Sequence, residues 1–360
     1  MPPIDLAARV HVLLQAATEA IRRFPVAVGG CLMASMVILL LVHDIRLAVG
    51  DAPLGWWLVW IGVGLALGGF VAALLAEARS WPRAAGIGAV LLAGTVVAAH
   101  LIWVESPWTN GMLMAGLALG LFGLPSLAAG QEDDAAWAYA VRMIGRLGFA
   151  FGAALVADQG IGLLLMLVRT LLGIEISLRL SLDITIMAFG VLAPLLLFGR
   201  VDRPAAFGAA PQPPQWLRLF MAWICVPLAF AYLVVYALYL ARIAIAWDLP
   251  DGRIAWSTIG IAALGLLAHL LAYPYREQGP SWVRFYYWMF FPALVPALVA
   301  FALSLWARID AYGMTEARYL LCLLLLWLGT IAALALLGRY RPVLVPAVLA
   351  LLLMLGSVGP

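Results

Sequence analysis

Apolar runs long enough to cross a membrane recur eleven times along this chain, and the polar breaks between them are short. The runs cover Phe24–Val42, Leu54–Ala76, Ala84–Trp103, Gly111–Ala129, Leu147–Leu171, Leu180–Gly199, Trp216–Ala244, Ala255–Tyr273, Phe285–Trp306, Tyr319–Gly338 and Pro342–Val358. A bilayer core about 30 Å thick takes about 20 helical residues to cross. Inside it no water can satisfy an exposed backbone N–H or C=O, so a spanning segment is a helix or belongs to a closed barrel. Continuous apolar runs of this length, without period-two alternation, are helices. The sequence therefore predicts an all-α fold, a polytopic transmembrane bundle of about 11 spans. Composition agrees. The chain is 66% hydrophobic and 11% charged, against roughly half and a quarter in a soluble domain.

The short loops orient the set. All 21 basic residues are arginine. With the N-terminus in the cytoplasm, 14 of them fall in cytoplasmic segments and 7 on the opposite side. That bias predicts an N-in, C-out topology, as in the inner membrane of a bacterium. Trp56, Trp57, Trp81, Trp103, Trp108, Trp216, Trp282 and Trp306 crowd the run edges, where interfacial anchors belong. Before the first run, residues 1–23 wind as an amphipathic interfacial helix. Asp5, Arg9, Gln15, Glu19, Arg22 and Arg23 lie on one arc, and Leu6, Val10, Leu13, Leu14 and Ile21 on the other. Residues 24–360 form the transmembrane domain.

Several classes of chemistry are excluded or unsupported. The net charge of +3 is spread over many loops and forms no basic stripe for nucleic acid. The absence of lysine rules out Schiff-base and P-loop lysine chemistry. Cys31, Cys225 and Cys322 are far apart, and His11, His43, His100 and His269 lack ligand spacing, so neither disulfides nor a metal site is expected. No cofactor and no catalytic residue is indicated. The expected partners are the lipid bilayer and a membrane protein or second copy of the chain.

A few residues are out of place in lipid. Asp158 and Gln159 sit near the middle of the fifth run. A carboxylate there faces the bundle interior or a wet cavity by default, either as a binding group at a helix break or as a buried partner of a neighbouring helix. Tyr232, Tyr236 and Tyr239 form a stripe at i, i+4, i+7 with Arg242 one turn later. They read as a packed seam, or else as a polar path. Pro125, Pro194, Pro227, Pro292 and Pro296 each remove a backbone donor and predict kinks. Gly64-x-x-x-Gly68, Gly116-x-x-x-Gly120 and Gly148-x-x-x-Gly152 predict close helix packing. Gln131-Glu132-Asp133-Asp134 places acids at the positive end of a helix.

The densest polar stretch between two spans is Arg308-Ile-Asp310-Ala-Tyr312-Gly313-Met314-Thr315-Glu316-Ala-Arg318-Tyr319. Gly313 suits a positive-φ turn, and Thr315 suits an N-cap with Glu316 behind it. Arg308 and Arg318 are natural partners for Asp310 and Glu316. The stretch reads as a turn stapled by ion pairs, or as a polar site at the non-cytoplasmic face. Its Tyr-Gly-x-Thr-Glu-x-Arg-Tyr string, following Phe291-Pro292 and Arg308-Ile309, resembles a bacterial membrane-protein family known as domain of unknown function DUF4153. The Arg22-Arg23-Phe24-Pro25 entry into the first span is similar to that family as well. The resemblance implies a multi-pass inner-membrane protein and brings no assigned activity. Similar proteins often continue past the last span into a polar region, whereas this sequence ends at Gly359-Pro360.

Three functions are compatible with these features. The span number, the kinking prolines and Asp158 fit transport of a small or lipid-like solute. Short loops fit a membrane-embedded scaffold or sensor subunit. An enzyme acting on a lipid-linked substrate would have to rely on Asp310 and Glu316 in short loops. The topology is checked by reporter fusions in the loop after Gly199 and at the C-terminus. The first is expected to report cytoplasm and the second the opposite side, and the same side at both sites overturns eleven spans.

Overall fold

The computed structural model of the chain describes residues 15, 17–45, 47–49, 52–103, 106–172, 174–201, 215–246 and 253–358. Most of the N-terminal amphipathic segment, residues 1–14 and 16, lies outside them. Its described end, 17–23, is helical.

Each apolar run is realised as a helix. In chain order these are α1 (Pro25–Val42), α2 (Gly55–Ala78), α3 (Arg83–Trp103), α4 (Pro107–Ala128), α5 (Asp133–Leu172) and α6 (Leu178–Phe198). They continue as α7 (Gln215–Phe220 running through Met221–Cys225 into Val226–Ala246), α8 (Arg253–Ala272), α9 (Ser281–Tyr312), α10 (Glu316–Leu336) and α11 (Leu344–Gly356). Among the described residues nine helices are long and apolar enough to cross a membrane, while the apolar stretch Ala85–Ala98 of α3 and all of α11 are shorter. The one strand pairing among the described residues is a two-residue antiparallel ladder between α1 and α2, which pairs Ala48 with Pro53 and Val49 with Ala52.

Exposure makes the membrane assignment physical. Beyond Ala154, no residue of α5 is buried, and Leu155, Val156, Leu163, Leu164, Met166, Leu167, Leu171 and Leu172 all stand open. A helix bare and apolar all round is solvated by lipid or by another protein, since water would not tolerate it. At 40 residues α5 is about 60 Å long, twice the thickness of a bilayer core. The chain is a multi-pass membrane protein.

The helices group into two compact units, Met1–Gln131 with Ala138–Gly208 and Met354–Pro360, and Glu132–Trp137 with Ala209–Leu353. In the first unit, α1 and α2 lie backbone to backbone. A Cβ on Gly30 would fall 2.6 Å from the Gly62 carbonyl oxygen, and one on Gly62 2.8 Å from the Ala34 nitrogen. In lipid there is no hydrophobic drive to bring helices together, so close van der Waals approach does that work. Gly64 of the first GxxxG pattern is covered by Val97 and Leu101 of α3. Gly148 and Gly152 have no neighbour within 4 Å, so that pattern is no seam within the described chain. The core beside α1 and α2 is a trio of rings, Phe24, Phe70 and Phe198, with centroids 4.6–5.8 Å apart. Tyr139, Met143, Ala150 and Ala154 lie along one face of α5 and are buried.

In the second unit, Gly265 of α8 makes room for the Phe290 ring of α9, and the Tyr286 hydroxyl donates to the Gly265 carbonyl at 2.8 Å. Trp327 of α10 donates to the Val345 carbonyl of α11 at 2.9 Å.

Two of the five prolines have a distinct local solution. A proline ring presses on the carbonyl four residues earlier. Before Pro194 and Pro227 the helix widens into a π-turn, at Ala188–Leu192 and Met221–Cys225, with the Ala193 and Val226 amides reaching back five residues to the Ala188 and Met221 carbonyls. The carbonyls of Gly190 and Trp223, which the rings would strike, lie inside those turns. Gly190 also sits against Ser35 of α1, whose side chain leaves no room for a Cβ.

Close approach at Gly30 gives a contrast between two glycines. Gly30→Val forces α1 off α2 and is expected to cost about 2 kcal/mol. Gly148→Val meets open space and is expected to stay within about 0.5 kcal/mol. Thermal unfolding of both variants in one detergent checks the pair.

Candidate functional site

The strongest polar cluster of the first unit is built on Arg23, the residue before Phe24. Its Nε donates to Glu77 Oε1 and its Nη2 to Glu77 Oε2, both at 2.6 Å, and Nη1 donates to the Val201 carbonyl. The guanidinium lies 4.7 Å from the centroid of the Phe24 ring. With side chains 11% and 24% exposed, this is a half-buried two-pronged ion pair. It ties the approach to α1, the end of α2 and the residue after α6 into one knot.

Beside the knot a cleft of about 860 Å³ opens between the segment preceding α1, the end of α2 and the start of α3. Glu19, Arg22, Arg23 and Glu77 form its charged side, and Val26, Ile87 and Val90 its apolar side. Trp81, 48% exposed, stands at the rim. The cleft was not among the candidates read from the sequence. Its available signal was a carboxylate, Glu77, immediately after the end of the second run, one hairpin away from the Arg22-Arg23 pair.

Asp158 lies where α5 passes α6. It accepts from the Thr185 hydroxyl at 2.7 Å and from the Gln159 amide at 3.0 Å. The helix runs through it unbroken, so no helix break creates the site. Thr185 is seven residues into α6, about 10 Å from its start. Asp158 therefore meets α6 about a third of the way along that helix. It is half-buried, Gln159 is exposed, and Asp158 makes no ion pair among the described residues. Farther along, His43 pairs with Asp183 at 3.0 Å and Asp44 with Arg179, joining the end of α1 to the start of α6. These pairs are exposed and stabilise little.

In the second unit the tyrosine stripe is a seam between α7 and α8. The Tyr236 hydroxyl is 2.6 Å from the Thr258 hydroxyl, and Tyr232 reaches Gly260. The Tyr236 and Tyr239 rings lie 5.9 Å apart at a tilt of 36°, while Arg242 is exposed. The structure does not bring this stripe together with Asp158 and Gln159 in one unit.

The Arg308–Tyr319 stretch forms the α9–α10 turn. Gly313 takes φ +72° as expected, and Thr315 caps α10 by accepting from the Arg318 amide. Arg318 donates to the backbone carbonyls of Tyr312 and Gly313 and stacks on the Tyr312 ring at 5.5 Å. Asp310, Tyr312 and Glu316 are exposed, and Arg308 and Tyr319 are half-buried.

The Gln131–Asp134 acids start α5, as expected, and they also pair across loops. Asp133 meets Arg341 at 2.5 Å, and Asp134 meets Arg276 at 3.1 Å. Arg276 also covers the Tyr273 ring at 4.1 Å. Burial pushes the Tyr340 hydroxyl well above the usual tyrosine range, and the nearby Tyr287, Tyr273 and Asp133 add to the shift.

Sequence comparison places these features in a wider group. The family described as "Domain of unknown function (DUF4153)" matches residues 28–359. The uncharacterized protein PM1469 of Pasteurella multocida (strain Pm70) is 31% identical over 108 residues, 30% of this chain and 18% of the relative. The matched stretch thus spans under a fifth of that protein's length. No solved structure matches the chain.

The Arg23 knot can be tested by a double-mutant cycle. Arg23→Ala strands a half-buried Glu77 and is expected to cost about 3 kcal/mol. Arg23→Ala with Glu77→Ala is expected to recover part of that loss, as read by thermal unfolding.

Proposed function

The chain belongs to the DUF4153 family, and from that membership, which carries no assigned activity, we propose that it moves a lipid-like solute across a bacterial inner membrane. The carrying observation is the cleft beside Arg23, whose charged and apolar sides suit a molecule with a polar head and an apolar tail. Trp81 at its rim fits the depth of a membrane–water interface. In this reading the cytoplasmic side is the one that holds the N-terminus and Arg23.

The rest of the first unit supports a path for the head. Asp158 and Thr185 offer a polar step about a third of the way along α6, and the His43–Asp183 and Asp44–Arg179 pairs mark the start of that helix. Asp158 is half-buried beside an exposed Gln159 rather than sealed inside the bundle. A polar head passing along that flank meets hydrogen-bonding groups while its tail stays in lipid, which lowers the cost of bringing charge into hydrocarbon.

A second reading rests on α5. Its bare end beyond Ala154 would be covered by a partner span if the protein were a scaffold, and Asp158 and Gln159 would then face that partner.

The two readings separate in purified, reconstituted vesicles. Transport predicts faster movement of a fluorescent phospholipid between leaflets. Asp158→Asn keeps an acceptor for Thr185, so thermal stability is expected to hold while the rate falls about tenfold, the equivalent of roughly 1.4 kcal/mol in the barrier. An unchanged leaflet exchange rate on adding wild-type protein overturns the proposal.

A further inference from the structure

We infer that the cleft beside Arg23 selects a membrane phospholipid whose headgroup is zwitterionic and carries a primary ammonium, with the phosphate on Arg22 and the ammonium on Glu19. This names the substrate class of the proposed transport and rests on that reading for the movement after binding, while the selection itself stands on the cleft.

The charges lining the cleft balance. The lining holds two acids, Glu19 and Glu77, and two bases, Arg22 and Arg23. Such a site has no surplus positive charge for a net anion. Half of these charges are already committed. Arg23 fills both oxygens of Glu77 and spends its remaining prong on the Val201 carbonyl. Glu19 and Arg22 are exposed, and neither makes an ion pair among the described residues. They are three residues apart on the helical segment 17–23, so they share a face. One uncommitted anion and one uncommitted cation therefore stand together at the mouth, opposite in sign to the two ends of a phosphate–ammonium headgroup.

Donor chemistry narrows the class. A guanidinium offers paired N–H donors to a phosphodiester. A primary ammonium returns N–H donors to the Glu19 carboxylate. A trimethylammonium has none and is held instead by aromatic faces, of which the lining supplies only Phe24 and Trp81. A headgroup whose charge is the phosphate alone offers Glu19 no cation. The apolar wall of Val26, Ile87 and Val90 suits the glycerol and acyl part, which makes a membrane lipid, rather than a free headgroup, the occupant.

The test uses the full chain, delipidated in detergent and placed in nanodiscs holding equal parts of phosphatidylethanolamine, phosphatidylcholine and phosphatidylglycerol. Lipid retained after re-extraction is measured by mass spectrometry. Phosphatidylethanolamine is expected to be enriched at least fivefold over either competitor. Arg22→Gln is expected to bring its retention to the bulk level, and Glu19→Gln to remove the preference over phosphatidylcholine, both without a shift in thermal stability. Equal retention, enrichment of phosphatidylglycerol, or an unchanged preference in Glu19→Gln overturns the inference. Displacement of the bound lipid by millimolar soluble glycerophosphoethanolamine overturns the lipid source. Leaflet exchange of the same lipids keeps the two claims apart. Selective retention without movement leaves this inference standing and removes transport. Movement without retention preference removes this inference alone.

Discussion

A backbone amide in hydrocarbon has no solvent to bond, and this constraint organises the chain. It turns every apolar run into a helix and leaves irregular backbone to the short breaks. Where a proline removes a donor, the loss has to be handled within the helix. Before Pro194 and Pro227 the helix opens by one residue into a π-turn and hands each following amide to a carbonyl five residues back. The first of these turns holds Gly190 against Ser35, so the adjustment of one backbone also shapes the contact between α6 and α1.

Lipid also removes the usual reason for helices to pack. With apolar solvent outside and apolar side chains inside, association depends on shape and on the few polar groups that find each other. In the first unit shape comes from Gly30 and Gly62, which allow α1 and α2 to touch along their backbones. Polarity comes from Arg23, which joins segments 54 and 178 residues away through Glu77 and the Val201 carbonyl. The knot rests on Phe24, Phe70 and Phe198, so the best-tied polar group and the aromatic core reinforce one another. The same knot forms one wall of the cleft, and a rigid wall is what a selective site requires.

The chain's distinctive motif acts locally. Tyr312–Tyr319 reverses the chain between two spans. Gly313 provides the left-handed residue, Thr315 the cap, and Arg318 the grip on two orphan carbonyls at the end of α9. Glycine and threonine were legible because their roles are set by backbone geometry a few residues away. The partners of Arg318 were not, because a guanidinium serves a helix C-terminus as readily as a carboxylate, and one-dimensional spacing does not rank the two.

The sequence alone determined the solvent of this protein, its helical class and the place of nearly every helix, because hydropathy summed over about 20 residues is a local property and the membrane reads it directly. It did not determine which face of each helix packs. Helices α1, α2 and α9 are apolar almost all round and carry hardly any amphipathic signal, so polarity does not point to a neighbour. Only the tertiary structure decided that Gly30 and Gly62 meet while Gly148 and Gly152 stay bare. It also decided that Arg23 holds Glu77 beside a cleft, and that Asp158 of α5 takes the Thr185 hydroxyl of α6. Those outcomes come from steric fit between residues far apart in the chain, and such fit exists only once the helices are side by side.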